Sequence, residues 1–379
     1  MLIGAKNAIC APKGFVAAAC ASGLKKSGKL DLALVYSQVP AVACGTFTRN
    51  KFAACPVKIC REHLKTGQAQ AILVNSGNAN CFTGKSGLEG ARQTMRQTAG
   101  LLALKNNMVL VASTGVIGRQ MDFKKIKRSL PALVSSLNRE GGSKFARAIM
   151  TTDTKTKELQ AKLNIGNNVI HIGAACKGAG MIAPDMATML CFITTDARIQ
   201  YAALNKVLKE AVESSFNMIS IDGCMSTNDS VIILANGLAQ NEVITLGSRN
   251  LLKFSAVLKE ICLGLAKMIV QDAEGATKFI TIKVSGAKDN LQARRAALQI
   301  ANSNLFKTAV YGENPNFGRI VAAAGAAGVK VKDTLKINYT SLNKKNIEVK
   351  INLMVGHGYA SAYTSDLTPD YIRINAGYN

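Results

Sequence analysis

Aromatic and histidine residues are scarce in this chain of 379 residues. There is no tryptophan, and aromatic residues together make up 5% of the sequence. A platform of stacked aromatic side chains for single-stranded nucleic acid is therefore poorly supplied. Only His63, His171 and His357 are present, and none has neighbours typical of a catalytic histidine. This argues against a triad that depends on histidine and favours a packed or surface role for each.

The ten cysteines contain no C-x-x-C pair, and with the histidines they match no metal-ligand spacing. Several lie inside apolar runs, where a reduced cysteine behaves as a small hydrophobic residue. A phosphate-binding P-loop pattern is also missing. We therefore expect no metal, no cofactor and a reducing, cytoplasmic location. No apolar run is long enough to cross a bilayer, so no membrane association is expected.

Acidic residues are also few, with 23 Asp and Glu against 47 Lys and Arg and a net charge of +24. Such an excess is typical of proteins that bind nucleic acid, and a non-catalytic basic binding protein is kept as one alternative. The basic residues are spread along the whole chain, with the densest group at 124–128 inside a predicted helix. Steering of small carboxylate substrates is the other explanation for the charge.

Length and hydrophobic content predict a large core and two lobes. Apolar patterns of both periods predict an α/β fold, with layered sheets covered by helices and a smaller C-terminal lobe. The predicted strands lie around 33–37, at 42–49 after a corner at 38–40, at 71–74, 108–112 and 169–175, from 188 onward, at 230–236 and 279–286, and in short runs from 334 to the end. The predicted helices lie at 56–64, 87–104, 122–149, 199–215, 250–271 and 288–304.

The stretch 177–196, KGAGMIAPDMATMLCFITTD, changes character halfway. Its glycines and Pro184 predict a tight loop, and from Thr188 an apolar, β-branched run predicts a buried strand. A hydroxyl held at this junction would lie next to the carbonyl of the small Ala187. The alternative is that Thr188 only begins a core strand.

Polar segments follow two of the other predicted strands. Residues 75–80 form a polar loop after the strand at 71–74, and Thr114 and Gly115 follow the strand at 108–112. A strand end fixes position while the following loop exposes a hydroxyl and a backbone amide, which suits catalysis. The alternative is an ordinary turn with Thr114 as a helix cap.

The stretch 177–196 resembles the signature of the ornithine acetyltransferase family, the glutamate N-acetyltransferases of arginine biosynthesis. Further motifs agree with this family in the same order along the chain. They are VNSGNAN (74–80), STGVIG (113–118), MTTDT (150–154), DGCMSTND (222–229), QDAEGATK (271–278), NPNFGR (314–319) and YIRINAGYN (371–379).

The resemblance implies the α/β fold of self-processing ornithine acetyltransferases and aminopeptidases. It also implies self-cleavage between Ala187 and Thr188, which gives an α chain of 1–187 and a β chain of 188–379. The freed α-amine of Thr188 serves as a base near neutral pH. Two α and two β chains are expected to form a heterotetramer.

The implied reaction moves the acetyl group of N-acetylornithine to glutamate through acetyl-Thr188, giving ornithine and N-acetylglutamate. Acetyl-CoA as a second acetyl donor is left open. In this resemblance the catalytic residues are Thr188, with Thr114 and Gly115 as the oxyanion hole. The substrate-binding residues are Thr151, Lys177, Thr188, Glu274 and Asn375.

Alternatives remain at several of these positions. Without the resemblance, Lys177 is interpreted as a solvated loop cation and Glu274 as a charge beside a helix end. A related self-processing aminopeptidase is the nearest alternative activity. The family usually has Ser or Thr five positions after the residue matching Asn375, and this sequence ends at Asn379, so the C-terminal side of the pocket stays open. Cys224 replaces a frequent acidic residue, and Phe317 a common tryptophan.

Overall fold

The computed structural model describes residues 2–4, 6–183 and 189–377. These residues form two compact units, each built around its own sheet. The larger unit comprises the described residues up to 178 together with 189–214 and 226–265, and the smaller comprises 179–183, 215–225 and 266–377. The predicted α/β fold with layered sheets, helices and a smaller, mainly C-terminal lobe is confirmed.

The described strands and helices follow in chain order. The strands are β1 (Leu2–Ile3), β2 (Phe15–Cys20), β3 (Leu32–Phe47), β4 (Gln68–Asn78), β5 (Val109–Val116), β6 (Lys157–Ile165), β7 (Asn168–Lys177), β8 (Leu190–Thr195), β9 (Ile219–Ser220), β10 (Ser230–Ala235), β11 (Phe279–Ala287), β12 (Lys336–Tyr339), β13 (Asn346–Asn352) and β14 (Gly358–Ser365). The α-helices are α1 (Cys55–His63), α2 (Gly84–Leu101), α3 (Phe123–Ser135), α4 (Gly142–Ala148), α5 (Tyr201–Glu213), α6 (Arg249–Gln271), α7 (Asn290–Ala301), α8 (Asn304–Tyr311), α9 (Phe317–Gly325) and α10 (Pro369–Ala376).

The sheet of the larger unit has the order β1-β6-β7-β8-β10-β3-β4-β5, with β2 paired to β3. Strand β8 lies inside this sheet, antiparallel to β7 on one edge and parallel to β10 on the other. All six of its residues are buried. Because both edges are hydrogen-bonded and both faces are covered, the start of β8 is a rigid position.

Both faces of this sheet are packed against apolar side chains. Along β3, Leu32 and Leu34 belong to one buried cluster, and Ala33 and Val35 belong to the other. Helices α2 and α3 contribute to the first cluster, and α4 contributes to the second. Successive side chains of a strand point to opposite faces, so a continuous apolar run fills both layers. Each fully buried leucine or valine contributes on the order of 1.5–3 kcal/mol through the hydrophobic effect.

The sheet of the smaller unit has the order β12-β13-β11-β14-β9. Ile280, Ile282 and Val284 of β11 join a buried cluster with side chains of α7, α8 and α9. The intervening Thr281 and Lys283 are only half-buried. This alternation is typical of a sheet that is covered by helices on one face.

One predicted boundary in the larger unit is wrong. The expected corner at 38–40 does not separate two strands, because β3 runs continuously through it, with an irregular pairing to β4 between Tyr36 and Ala41. The amide of Gln38 bonds to the carbonyl of Gly14, which keeps this segment in the sheet. Proline lacks an amide donor, and an irregular pairing is a position in a sheet where Pro40 is tolerated.

The prediction is also wrong near the C-terminus. The chain was expected to continue as short strands to its end, but its last described element is the helix α10. The Thr368 hydroxyl accepts a hydrogen bond from the amide of Tyr371, and Pro369 occupies the first turn. A threonine cap followed by proline favours a helix start, and this signal was overlooked. Helix α9 was also missed, and the helix predicted at 288–304 consists of α7 followed by the start of α8.

The other predicted elements are present with shifted ends. The largest shifts occur at β4 and β5, which extend several residues beyond the predicted strands. Within the described part of the chain, no helix combines the length and apolar character that crossing a membrane requires.

The substitution Gly173→Ala tests the packing of β7. A β-carbon at this position would lie 1.7 Å from the carbonyl oxygen of Ala8, which belongs to the backbone and has little room to move. We expect a loss of about 1–3 kcal/mol in the free energy of unfolding, typical of overpacking. Gly100→Ala in α2 is the matched control, since nothing lies within 4 Å of its β-carbon position. Equal melting temperatures for the two variants would contradict the packing described here.

Candidate active site

Thr114 and Gly115 lie in the last turn of chain before β5 ends at Val116. They were expected in a loop, but they pair in parallel with Ser76 and Gly77 of β4. Thr114 is buried, and Gly115 has a φ of 134°. A β-carbon on Gly115 would lie 2.4 Å from the carbonyl carbon of Gly77. Only glycine therefore fits at this position, for both conformation and space.

The polar segment that follows Val74 is a strand and not the expected loop. Buried polar side chains require hydrogen-bond partners, and here each finds one. The Asn75 amide donates to the carbonyl of Asn78 at 2.9 Å, and its oxygen accepts from the Ser113 hydroxyl at 2.6 Å. The Ser76 hydroxyl donates to the carbonyl of Ala148. These bonds let β4 continue to Asn78 and support the end of β5.

Asn228 is a further residue at this strand end, and the sequence analysis did not single it out. Its side-chain amide donates to the carbonyl of Ala79 at 2.6 Å and to that of Ser113 at 2.8 Å. The loop before β10 is thereby bonded directly to the residue that precedes Thr114. The motif DGCMSTND contained the signal, since a buried asparagine in a polar loop usually binds backbone groups.

Lys177 and Thr151 are brought together as the resemblance implied. The Lys177 ammonium donates to the Thr151 hydroxyl at 2.7 Å and lies 3.7 Å from the carboxylate of Asp153. Lys177 is the last residue of β7 and is 2% exposed. The alternative of a solvated loop cation is therefore wrong. Sheet pairing carries the lysine into the interior, which the loop assignment had not anticipated.

Asp153 is the centre of the buried charges around Lys177. Its carboxylate accepts from the Lys157 ammonium at 2.7 Å, from the amide of Gly178 at 2.7 Å and from the amide of Thr151 at 3.0 Å. Burial alone would raise the pKa of Asp153, but Lys177 and Lys157 outweigh it and hold this pKa well below the ordinary value. The carboxylate therefore stays charged and fixes the loop that carries Thr151. Both acid and partner lysine stand within the stretch 150–157, yet only MTTDT was noted there.

Lys25 is a third buried lysine in this region, and its role was missed. Its ammonium donates to the carbonyl of Met150 at 2.7 Å and to that of Leu30 at 2.9 Å. Its aliphatic chain lies against Gly77, since a β-carbon there would be 3.2 Å from Lys25 Cγ. Lys25 thus connects the backbone that precedes Thr151 with the strand paired to Gly115. Burial first, together with the positive charge of Lys177, lowers the pKa of Lys25 to about 8, against the influence of Asp31.

Glu274 and Asn375 belong to the smaller unit and contact each other. The Asn375 side-chain amide donates to the Glu274 carboxylate at 2.8 Å. The backbone amide of Glu274 donates to the carbonyl of Ala179, and a β-carbon on Gly180 would lie 2.3 Å from the Glu274 carboxylate. Glycine at 180 is thus required for the loop to approach this side chain. Glu274 does follow the end of α6, but its carboxylate is bonded and half-buried, more than a charge beside a helix end.

Ala187 and Thr188, the predicted cleavage site and nucleophile, lie outside the described residues. The segments on either side are anchored. Upstream, the amides of Met181 and Ile182 donate to the carboxylate of Asp222 at 2.6 and 2.8 Å. Downstream, the amide of Met189 donates to the carboxylate of Asp229 at 2.9 Å.

The three histidines were predicted to be packed or exposed. His63 contacts the carbonyl of Val109 at 3.0 Å, and His171 lies 3.3 Å from the carboxylate of Asp196. His357 is exposed. Among residues 2–4, 6–183 and 189–377, no group of three or more His, Cys, Asp or Glu side chains is arranged to hold a metal ion.

The substitution Asp153→Asn tests the buried charges around Lys177. Removing the carboxylate leaves two lysines without their partner, so the free energy of unfolding at pH 7.5 should fall by about 3–5 kcal/mol. The stabilisation by Asp153 is present above its unfolded pKa of about 3.9 and is lost as the pH falls below it, because the folded pKa is lower. The difference between wild type and variant should therefore shrink below about pH 4.

Chemical denaturation at several pH values measures this difference. Asp333→Asn, at an exposed aspartate, is the control and should change stability little at any pH. A difference for Asp153→Asn that stays constant from pH 7 to pH 3 would contradict the charge pairing.

Comparison with known proteins identifies relatives along nearly the whole chain. Residues 16–340 match the family model described as the ArgJ family. The arginine biosynthesis bifunctional protein ArgJ of Geobacter sulfurreducens is 43% identical over 389 residues, covering 97% of this chain and 99% of that protein. The protein of the same name from Dehalococcoides mccartyi is 44% identical, covering 98% of this chain and 97% of its own length.

Among solved structures, ornithine acetyltransferase from Mycobacterium tuberculosis, complexed with ornithine, is 37% identical with a TM-score of 0.46. That match covers 48% of this chain and 97% of the other. The family model covers far more than half of the sequence, and the curated relatives align over almost all of it. On this evidence the chain belongs to the ArgJ family.

Proposed function

We propose that this ArgJ-family chain is an acyltransferase of arginine biosynthesis, a glutamate N-acetyltransferase that uses N-acetylornithine as the acetyl donor. The observation that carries this proposal is the identity of more than 40% to arginine biosynthesis proteins over 97–98% of the chain. The structure adds two supporting features. The motif residues Thr114 and Gly115 lie together at a strand end, and Lys177 binds Thr151 in the interior.

Self-cleavage is the first step of the proposed mechanism. The Thr188 hydroxyl attacks the carbonyl of Ala187, and the peptide bond becomes an ester while the α-amine of Thr188 is released. Water then hydrolyses the ester, giving an α chain of 1–187 and a β chain of 188–379. The two chains would stay associated because β8, from the β chain, is paired along its whole length with β7, from the α chain.

Acetyl transfer follows at the new N-terminus. The Thr188 hydroxyl attacks the acetyl carbonyl of N-acetylornithine while its α-amine accepts the hydroxyl proton. The Thr114 hydroxyl and the Gly115 amide stabilise the negative oxygen of the tetrahedral intermediate. The bond to ornithine then breaks, and the proton passes to its departing amine. The amine of glutamate attacks acetyl-Thr188 by the reverse sequence, which releases N-acetylglutamate and regenerates the hydroxyl.

Lys177 and Thr151 are assigned to substrate binding. Lys157 lies closer to Asp153 than Lys177 does, at 2.7 Å against 3.7 Å. The Lys177 ammonium is therefore the better placed of the two to bind a carboxylate, which both ornithine and glutamate carry. The assignment of Glu274 and Asn375 rests on the family resemblance, with their mutual hydrogen bond as support.

Acetyl-CoA is a second candidate donor. The printed names of the relatives describe a bifunctional protein. A second acetyl donor that acylates the same threonine would give one chain two activities without a further site. We assign no cofactor or metal to the reaction, a heterotetramer of two α and two β chains to the assembly, and the cytoplasm as location.

Substitution of Thr188 tests the nucleophile. Thr188→Ala should remove both self-cleavage and acetyl transfer, because it deletes the attacking oxygen. Thr188→Ser keeps a hydroxyl and should retain partial cleavage. Intact-mass analysis after incubation with N-acetylornithine measures both steps, since wild type should yield two fragments and a β fragment heavier by one acetyl group. An alanine variant that still transfers acetyl groups would refute the assignment.

Thr114→Val tests the oxyanion hole separately. The substitution keeps the shape of the side chain and removes its hydroxyl, so kcat should fall roughly 100- to 1,000-fold while KM changes little. Thr98→Val is the matched control, because Thr98 is equally buried and donates only to a helical carbonyl of α2. Steady-state kinetics with N-acetylornithine and glutamate decide the point. A Thr114→Val enzyme with wild-type kcat would exclude the hydroxyl from the reaction.

A further inference from the structure

A fully buried carboxyl group contacts the residue directly after the proposed nucleophile. Asp229 is 0% exposed, and its Oδ1 accepts a hydrogen bond from the amide of Met189 at 2.9 Å. Its other oxygen, Oδ2, has no hydrogen-bond partner among the residues that the structure describes. Buried polar atoms in native proteins are nearly always bonded, so this oxygen calls for a donor.

The backbone around Asp229 is held in place from three directions. The amide of Thr48 donates to the carbonyl of Asp229 at 3.1 Å, and the amide of Ser230 donates to the carbonyl of Met189 at 3.2 Å. The preceding Asn228 is bonded to the carbonyls of Ala79 and Ser113. The carboxyl group therefore has little freedom to turn toward another partner.

The surroundings of Asp229 favour a positively charged donor. Burial raises the pKa of this carboxyl well above its ordinary value, while the Met189 amide, the Ser226 hydroxyl and the charge of Lys177 act in the opposite direction. An ammonium group placed next to the carboxyl would favour its charged form and offset part of the cost of burial.

We propose that Asp229 is a positioning residue, whose Oδ2 binds the α-amine of Thr188 after self-cleavage releases it. This inference rests on the proposed function. The amine is three covalent bonds from the Met189 nitrogen, which bounds their separation to about 4 Å. It therefore forms close to the carboxyl group that already binds Met189.

Binding to Oδ2 has a specific consequence for catalysis. An N-terminal amine rotates freely about its bond to Cα, and only some orientations direct its lone pair at the Thr188 hydroxyl. A hydrogen bond from one of its N–H groups to Oδ2 restricts that rotation. The amine is then oriented to take the hydroxyl proton, which is the positioning that general base catalysis requires.

Asp229→Asn is the test, because the amide keeps the size of the side chain and the oxygen that accepts from Met189. We expect the variant to cleave itself. Acetyl transfer per cleaved chain should fall at least tenfold. The acidic limb of the pH profile should move to lower pH, since loss of a neighbouring carboxylate lowers the pKa of the amine.

Asp196→Asn is the matched control. Asp196 is also 0% exposed and follows the other end of β8, but both of its oxygens are already bonded to the amides of His171 and Lys13. This control should carry a similar structural cost. It should leave the acidic limb of the pH profile unchanged, because no part of the proposed reaction uses it.

Two results would overturn the inference. One is an Asp229→Asn enzyme with wild-type kcat and an unshifted acidic limb. The other is a folded variant that stays uncleaved, since the carboxyl would then act on the precursor and not on the released amine. A wild-type protein that neither cleaves nor transfers acetyl groups would instead refute the proposed function.

A crystal structure of the processed wild-type protein decides the question without any variant. The Thr188 nitrogen should lie within about 3.2 Å of Asp229 Oδ2. Another group bonded to Oδ2, with the amine directed elsewhere, would overturn the inference even if both variants failed to fold.

Discussion

Strand β8 is hydrogen-bonded along both edges, and the rest of the candidate site depends on this constraint. Its antiparallel pairing with β7 brings Lys177 opposite Leu190, and its parallel pairing with β10 brings Ser230 to the same residue. The ends of three strands therefore meet where the chain enters β8. A break in the chain just before this strand would leave both ladders intact, so the position would keep its geometry.

Burial of charge is the second physical feature of the larger unit. Charged groups are costly to remove from water, and they persist in a protein interior only where partners and hydrogen bonds compensate. Asp153 meets this condition through two lysines and two backbone amides. Asp229 meets it only in part, since one of its oxygens lacks a described partner. This contrast separates a carboxylate that supports structure from one that is available to a reacting group.

Several elements of the fold could be predicted because their signals are local. Helix α6 repeats apolar residues at three- and four-residue spacing, and β8 and β10 are short apolar runs. Other elements depend on distant partners. Residues 75–78 look like a loop by composition, and they form a strand only because β5 pairs with them and because Ser113 and Ala148 bond their side chains. The amide of Gln38 likewise stays in the sheet through a distant carbonyl, that of Gly14.

The candidate site shows the same division. The motif resemblance identified Lys177, Thr151, Thr114 and Gly115, and the structure shows the first two in contact and the last two at one strand end. Lys25, Asn228 and Asp229 escaped notice as individual residues. Each acts on a backbone group far away in sequence, and no local pattern reports such a contact.

The sequence by itself determined the α/β class, most of the helices and the family, because these follow from short-range periodicity and from motifs that keep their order along the chain. Only the tertiary structure decided which polar residues are buried and what they bind. A lysine in a loop and a lysine at the end of a central strand look alike in the sequence. Sheet pairing between distant segments determines whether the ammonium stays in water or must find Thr151 and Asp153 in the interior.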